Sequence, residues 1–288
     1  LLLSPQALGA GPDSFAFVSA ARSYLAGSGF RNVTWDGQTE LLTHFPPLYS
    51  FLLAEFGLNN ELLQNAKLLN AAVFMANIFL IGLIIRQISK HNWLALAGAT
   101  IFLTSDMAIH THCNICTEPL FIFFVLAALG CFSLYIGDKK PAALLLTAIL
   151  VGLGAITRYV GVTVIGATAL TLLLLPYAEK RKRVYDAVMF TAVSATPLII
   201  WLIRNALIAN SATNRTITFH LIQGNHFLDA LYTFGLWVLP GIKITFLAGL
   251  IFLFLLAAAF LVQHRFNRPV PTGVLWSGIF IAVYCGFL

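Results

Sequence analysis

Charge is the scarcest ingredient of this sequence. Only 10% of its 288 residues are Asp, Glu, Lys or Arg, against about 25% in a soluble domain. That shortage excludes an ordinary water-soluble chain. The sequence also lacks a phosphate-binding glycine loop, GxSxG, HExxH and any repeat of fixed period, which removes P-loop, α/β-hydrolase, zinc-protease and solenoid readings. Its basic clusters carry no interleaved aromatics, so nucleic acid is not an expected partner. It opens Leu1-Leu2-Leu3, with neither Met nor a basic n-region, so no signal peptide is read.

What is present is apolar. Hydrophobic residues make up 59% of the chain and mean hydropathy is +0.86. They fall in long runs, as spanning helices require. The expected fold class is therefore an all-α polytopic membrane protein. About nine transmembrane helices are expected: a stub at 1–9, then 66–86, 93–109, 118–136, 141–157, 160–177, 185–204, 242–263 and 273–288. Both ends stop inside apolar runs, so 1–288 reads as a single transmembrane domain truncated at both termini.

Lys and Arg set the orientation. Ten of the seventeen basic residues (Arg86, Lys90, Lys139, Lys140, Lys180–Arg183, Arg265 and Arg268) fall in one alternating set of short loops, with three acids. These loops are assigned to the cytoplasm. The other eight acids, including Asp13, Asp106 and Glu118, fall on the opposite, outer side. The chain is thus expected to be integral and multi-pass, in a bacterial plasma membrane or, in a eukaryote, the endoplasmic reticulum.

The outer side holds the unusual segments. The first outer loop, 10–65, is expected to hold two interfacial helices. One covers 14–26, with Phe15, Val18, Leu25, Ala21 and Ala26 on its apolar face. The other follows Pro46-Pro47 over an apolar dozen, 48–58, too short to span. A second long outer loop, 205–241, carries Arg215 and an interfacial aromatic stretch. Asn32-Val33-Thr34 and Asn214-Arg215-Thr216 are outer glycosylation sequons.

Several outer residues could carry chemistry. Asp13 follows Gly11-Pro12, and its ordinary reading is a helix N-cap. A carboxylate there is also stabilised as the anion and could take a proton from a hydroxyl. Glu118 opens a span in Thr117-Glu118-Pro119, and Asp106 ends the preceding one. Acids at membrane depth default to functional hypotheses. Arg158 lies between two apolar runs on the acidic side. It needs a counter-charge, either one of these acids or an anionic ligand such as a phosphate. Arg204 and Arg215 raise the same question. His110-Thr111-His112-Cys113-Asn114-Ile115-Cys116 has zinc-ligand types at a spacing too compressed for a standard site. A Cys113–Cys116 disulfide is the alternative in an oxidising compartment, and incidental ligands in a short loop is the favoured reading.

Taken together, the motifs resemble one family. They are an acid after the first span with an interfacial helix ending Gly27-Ser28-Gly29-Phe30, then His44-Phe45-Pro46-Pro47-Leu48-Tyr49, then Thr117-Glu118-Pro119-Leu120-Phe121. Thr157-Arg158-Tyr159 and Trp201–Asn205 followed by Arg215 complete the set. In order and sidedness they resemble the GT-C integral-membrane glycosyltransferases, of the protein O-mannosyltransferase and aminoarabinose-transferase-like branch. The resemblance implies sugar transfer from a polyprenyl-phosphate carrier to a lipid, glycan or protein acceptor on the outer or lumenal face. It implies catalytic roles for Asp13 and Glu118, and substrate-binding roles for Arg158, Arg204, Arg215, Tyr159 and His44. No cofactor is demanded, and a divalent metal at Asp106 is the one option. The family often pairs two acids at the first site, whereas Ser14 follows Asp13 here. Outside this class, an anionic-lipid transporter or flippase and a non-catalytic accessory subunit are the competing readings.

Overall fold

The computed structural model describes residues 8–33, 37–56 and 61–215, together with 224, 228–229, 232, 250, 275–280 and 283. Most of the expected stub at 1–9, of the spans 242–263 and 273–288 and of the loop 205–241 lies outside the described residues. Nine helices form within them: α1 (Pro12–Leu25), α2 (Leu48–Glu55), α3 (Leu62–Ser89), α4 (Asn92–Thr104), α5 (Asp106–His112), α6 (Glu118–Asp138), α7 (Pro141–Ala155), α8 (Gly161–Leu174) and α9 (Lys180–Ala209). A small antiparallel hairpin, β1 (Arg31–Val33) with β2 (Thr39–Leu41), pairs Arg31 with Leu41. It is an unexpected non-helical element in the first outer loop.

Among the described residues three helices, α3, α6 and α9, are each long and apolar enough to cross a membrane, and α4 and α5, bent by 59° to one another, reach that length and apolarity only when taken together. The expected span 93–109 is therefore broken. Ser105 leaves helical dihedrals and caps α5 by accepting from the Ala108 N–H at 3.4 Å. The expected spans 141–157 and 160–177 are realised as α7 and α8, helices of 15 and 14 residues. At 1.5 Å per residue they measure only about 21–22 Å, short of a hydrocarbon core of about 30 Å.

Two apolar cores hold the bundle. One lies between α6, α7, α8 and α9, around Phe132, Val151, Ala155, Val164 and Phe190. The other packs α1 and α2 onto α3 and the start of α6, around Phe17, Tyr49, Leu53 and Leu69. The packed face of α1 differs from the expected one. Ser14, Phe17, Ala20 and Ala21 are buried, whereas Phe15 is 72% exposed. Phe17 meets Phe45 and Tyr49 edge to face at 4.8 and 5.3 Å, and these contacts decide which side of the helix turns inward.

The two ends of the bundle differ in chemistry. At the basic end, Asp186 is buried and accepts hydrogen bonds from Tyr135, Tyr177 and Lys182. That set neutralises an acid which would otherwise be costly there. The opposite end gathers the residues singled out above.

Candidate active site

The site is assembled from four chain segments. Gly9 forms a bridge with Asn114, its N–H donating to the Cys113 carbonyl at 2.8 Å while its carbonyl accepts from Ile115 at 2.9 Å. The chain then turns into α1. Gly11, not Asp13, is the N-cap. Ser14 does the capping: its Oγ accepts from the Gly11 N–H at 2.9 Å and donates to the Ile115 carbonyl at 2.7 Å. A second carboxylate at position 14 could not make that donation when ionised. The serine thus fastens the acid-bearing turn to the loop leading into α6. Asp13 itself, in the first turn of α1, is exposed and makes no ion pair among the described residues.

Loop 113–117 is held from below by a buried amide network. Asn70 donates to the His112 and Asn114 carbonyls at 3.1 and 2.7 Å. Asn77 donates to His112 Nε2 and to the Pro119 carbonyl, both at 3.1 Å. His112 Nδ1 faces the Ala108 carbonyl at 2.7 Å. A carbonyl only accepts, so Nδ1 carries the proton and Nε2 accepts from Asn77. His112 is fully buried and both its nitrogens are committed, which removes it as a metal ligand. Cys113 and Cys116 are free thiols. Among the described residues no group of three or more His, Cys, Asp or Glu side chains could hold a metal. Asp106, exposed in the first turn of α5, therefore has no ligand set around it.

Glu118 begins α6 and is paired with Arg158, whose Nη1 also donates to Thr117 Oγ1 at 3.0 Å. Both side chains are about a third to a half exposed, at 33% for Arg158 and 44% for Glu118. Such a pair contributes up to about 1 kcal/mol, so its consequence is placement rather than stability. Cys116 lies beside it. Burial, with the Glu118 charge, pushes its thiol up to about 12. Tyr49 is fully buried beside Cys116 and Glu118, and burial raises its phenol too.

The turn between α7 and α8 carries the next residues. Tyr159 donates to the Thr43 carbonyl at 2.6 Å and accepts from Trp201 Nε1 at 3.2 Å. Its hydroxyl is thereby occupied, and burial raises its pKa, keeping the phenol protonated. Arg215 lies over the rings of Phe45 and Tyr159 and donates to the His44 carbonyl at 3.2 Å. His44 contributes that carbonyl while its side chain is exposed against Phe45. Arg204 stacks on Trp201 at 4.7 Å and donates to Asn205 at 2.9 Å.

The structure thus joins Glu118 to Arg158, and Arg215 to His44 and Tyr159. It places Arg204 on the neighbouring Trp201, and it leaves Asp106 without a ligand set. One residue was missed in the sequence: Arg31, at the start of β1, lies within electrostatic reach of Arg204, and neither forms an ion pair among the described residues. The signal was a basic residue directly after Gly27-Ser28-Gly29-Phe30, whose Phe30 meets Trp201 edge to face at 6.1 Å.

No curated protein and no solved structure matches the chain. A family model described as dolichyl-phosphate-mannose-protein mannosyltransferase matches residues 44–201, more than half of the sequence. The match takes in His44, Asp106, Glu118, Arg158 and Tyr159, and leaves Asp13, Arg204 and Arg215 outside it. With its long apolar helices, this is a GT-C-type membrane glycosyltransferase, and the chain belongs to the dolichyl-phosphate-mannose-protein mannosyltransferase family.

Proposed function

We propose that the protein transfers a sugar from a polyprenyl-phosphate carrier to a lipid, glycan or protein acceptor on the outer (periplasmic, extracellular or lumenal) face. The acceptor hydroxyl or amine attacks the anomeric carbon. The bond from that carbon to the carrier phosphate oxygen breaks, the acceptor proton passes to Asp13, and the carrier leaves as its phosphate. Arg31 and Arg204, with Arg215 beside them, stabilise the charge on that leaving phosphate. Glu118 holds Arg158 in place through their ion pair, so its part is positioning and counter-charge rather than proton transfer.

One observation carries the reading. An exposed acid at the positive end of α1 is fastened by Ser14 to the loop that leads into the Glu118–Arg158 pair. The two arginines without an acid partner, Arg31 and Arg204, give a phosphate its counter-charge. The test is Asp13→Asn in membranes supplied with a polyprenyl-phosphate sugar. Removal of a general base lowers turnover by roughly 10²–10⁴-fold, with carrier binding retained. Turnover within a few-fold of the parent chain, on the order of the scatter in such assays, overturns the role.

A further inference from the structure

The basic end of the bundle holds a second cavity system, remote from the candidate active site. An apolar cavity of about 470 Å³ runs between α3 and α4, lined by Met75, Phe79, Gly82, Leu83, Leu96 and Ala99 among others. It opens directly into a polar one of about 590 Å³ lined by Leu83, Arg86, Gln87, Lys90 and Asn92. Leu83, Arg86 and Asn92 line both, so the two form one amphipathic cleft. Gly82 faces α4 across the cleft, where a Cβ would reach Ala99 and the Ala95 carbonyl at 3.6 and 3.7 Å.

Charge decides what fits. Arg86 and Lys90 are exposed and make no ion pair among the described residues. The segment from Arg86 to Ser105, which includes the polar end, holds no Asp or Glu. In the other basic cluster at this end two of the cations have acid partners, Lys182 with Asp186 and Lys140 with Asp138. The apolar arm is lined by side chains that stay exposed, Met75 at 61% and Phe79 at 65%, as suits contact with acyl chains. We infer that the α3–α4 cleft binds an anionic phospholipid from the leaflet on the basic side. Its phosphate headgroup lies between Arg86 and Lys90, and one acyl chain lies along Gly82, Leu83 and Leu96. The inference stands apart from the assignment of the active site.

The test uses the purified chain in nanodiscs of mixed phosphatidylglycerol and phosphatidylcholine, with retained lipid read by native mass spectrometry. Phosphatidylglycerol is retained over phosphatidylcholine by roughly tenfold or more, the scale expected of two juxtamembrane cations. The double variant R86Q/K90Q loses that preference, and the control K139Q/K140Q keeps it. Gly82→Leu fills the apolar arm while leaving the charges, and it lowers retention of both lipids. Equal retention of the two lipids by the parent chain overturns the proposal. So does a preference unchanged in R86Q/K90Q, retention unchanged in Gly82→Leu, or displacement of the lipid by millimolar inorganic phosphate, which would mark a free-phosphate site. Absence of any retained lipid would mean that another protein segment covers the cleft, and also overturns it.

Discussion

Cys116 is a small probe set into the candidate site. Its thiol ordinarily ionises near 9 and is pushed up to about 12 by burial and by Glu118, while Arg158 pulls the other way. The folded chain therefore keeps a proton that the unfolded chain gives up between pH 9 and 12. Stability contributed at this position is present below pH 9 and is lost as pH rises through that window. At neutral pH the thiol is a poor nucleophile, because only the thiolate reacts. Glu118→Gln removes the charge that raises it and frees Arg158 to lower it. Maleimide labelling of Cys116, mapped by mass spectrometry with Cys113 as the internal reference, accelerates in that variant. An unchanged ratio of the two rates would show that Glu118 does not govern the thiol. The residue scale also shows what sequence could and could not reveal. Arg158 stood out because an arginine on the acidic side needs a counter-charge, and Glu118 supplies it. Ser14 looked like a departure from a paired-acid pattern, and only the Ile115 carbonyl 2.7 Å away explains it. That partner is 101 residues distant in sequence, and no local pattern announces it.

At the scale of elements, the turn between α7 and α8 is the part most sensitive to shape. Gly161 comes so close to the end of α7 that a Cβ would lie 2.5 Å from Ala155 Cα and 2.7 Å from its nitrogen. Backbone atoms cannot swing aside as a flexible side chain does. Gly161→Ala therefore costs about 1–3 kcal/mol, the usual range for overpacking, and displaces Arg158 and Tyr159 with the turn. A lowered melting temperature together with reduced transfer activity is expected. Gly130→Ala, whose Cβ meets nothing within 4 Å, is the neutral control, and equal melting of the two variants would refute the argument. Gly152 marks a second close approach, with its Cβ position 2.9 Å from the Ser194 carbonyl beside Pro197 of α9. Hydropathy located α3, α4 and α6 to α9, because an apolar run reports burial or lipid contact, but it left His110 and His112 in a loop where the structure has α5. It could not report the break at Ser105, since one serine changes a window average little while its Oγ cap redirects the whole chain. The β1–β2 hairpin escaped for a related reason: three residues a side give no periodicity to read.

For the whole molecule, alternating loop charge separated two groups of residues that the structure also keeps apart. The Glu118–Arg158 pair lies at one end of the bundle and the Asp186 cluster at the other. Composition gave the class, and the order of short motifs gave the family. The number of crossings was less legible, because length in sequence is not length in space. The apolar run 141–157 ends in the turn around Arg158, and the run 160–177 leaves the helix at Leu175, before Pro176, so both helices are shorter than their runs. That shortening has a mechanical meaning for the surrounding lipid. Helices of about 21–22 Å beside a core of about 30 Å impose a hydrophobic mismatch of several ångströms. If α7 and α8 cross as expected from the sequence, a bilayer would meet the mismatch by thinning next to them, which would bring the headgroup plane toward Arg158. Transfer measured in a series of bilayers of increasing acyl length should fall as the chains lengthen, and a flat profile would argue that other protein fills the gap. On the proposed reaction the membrane would then be part of the enzyme's geometry: a donor tethered to lipid would arrive at a depth set by where the bilayer has been pulled down to meet it.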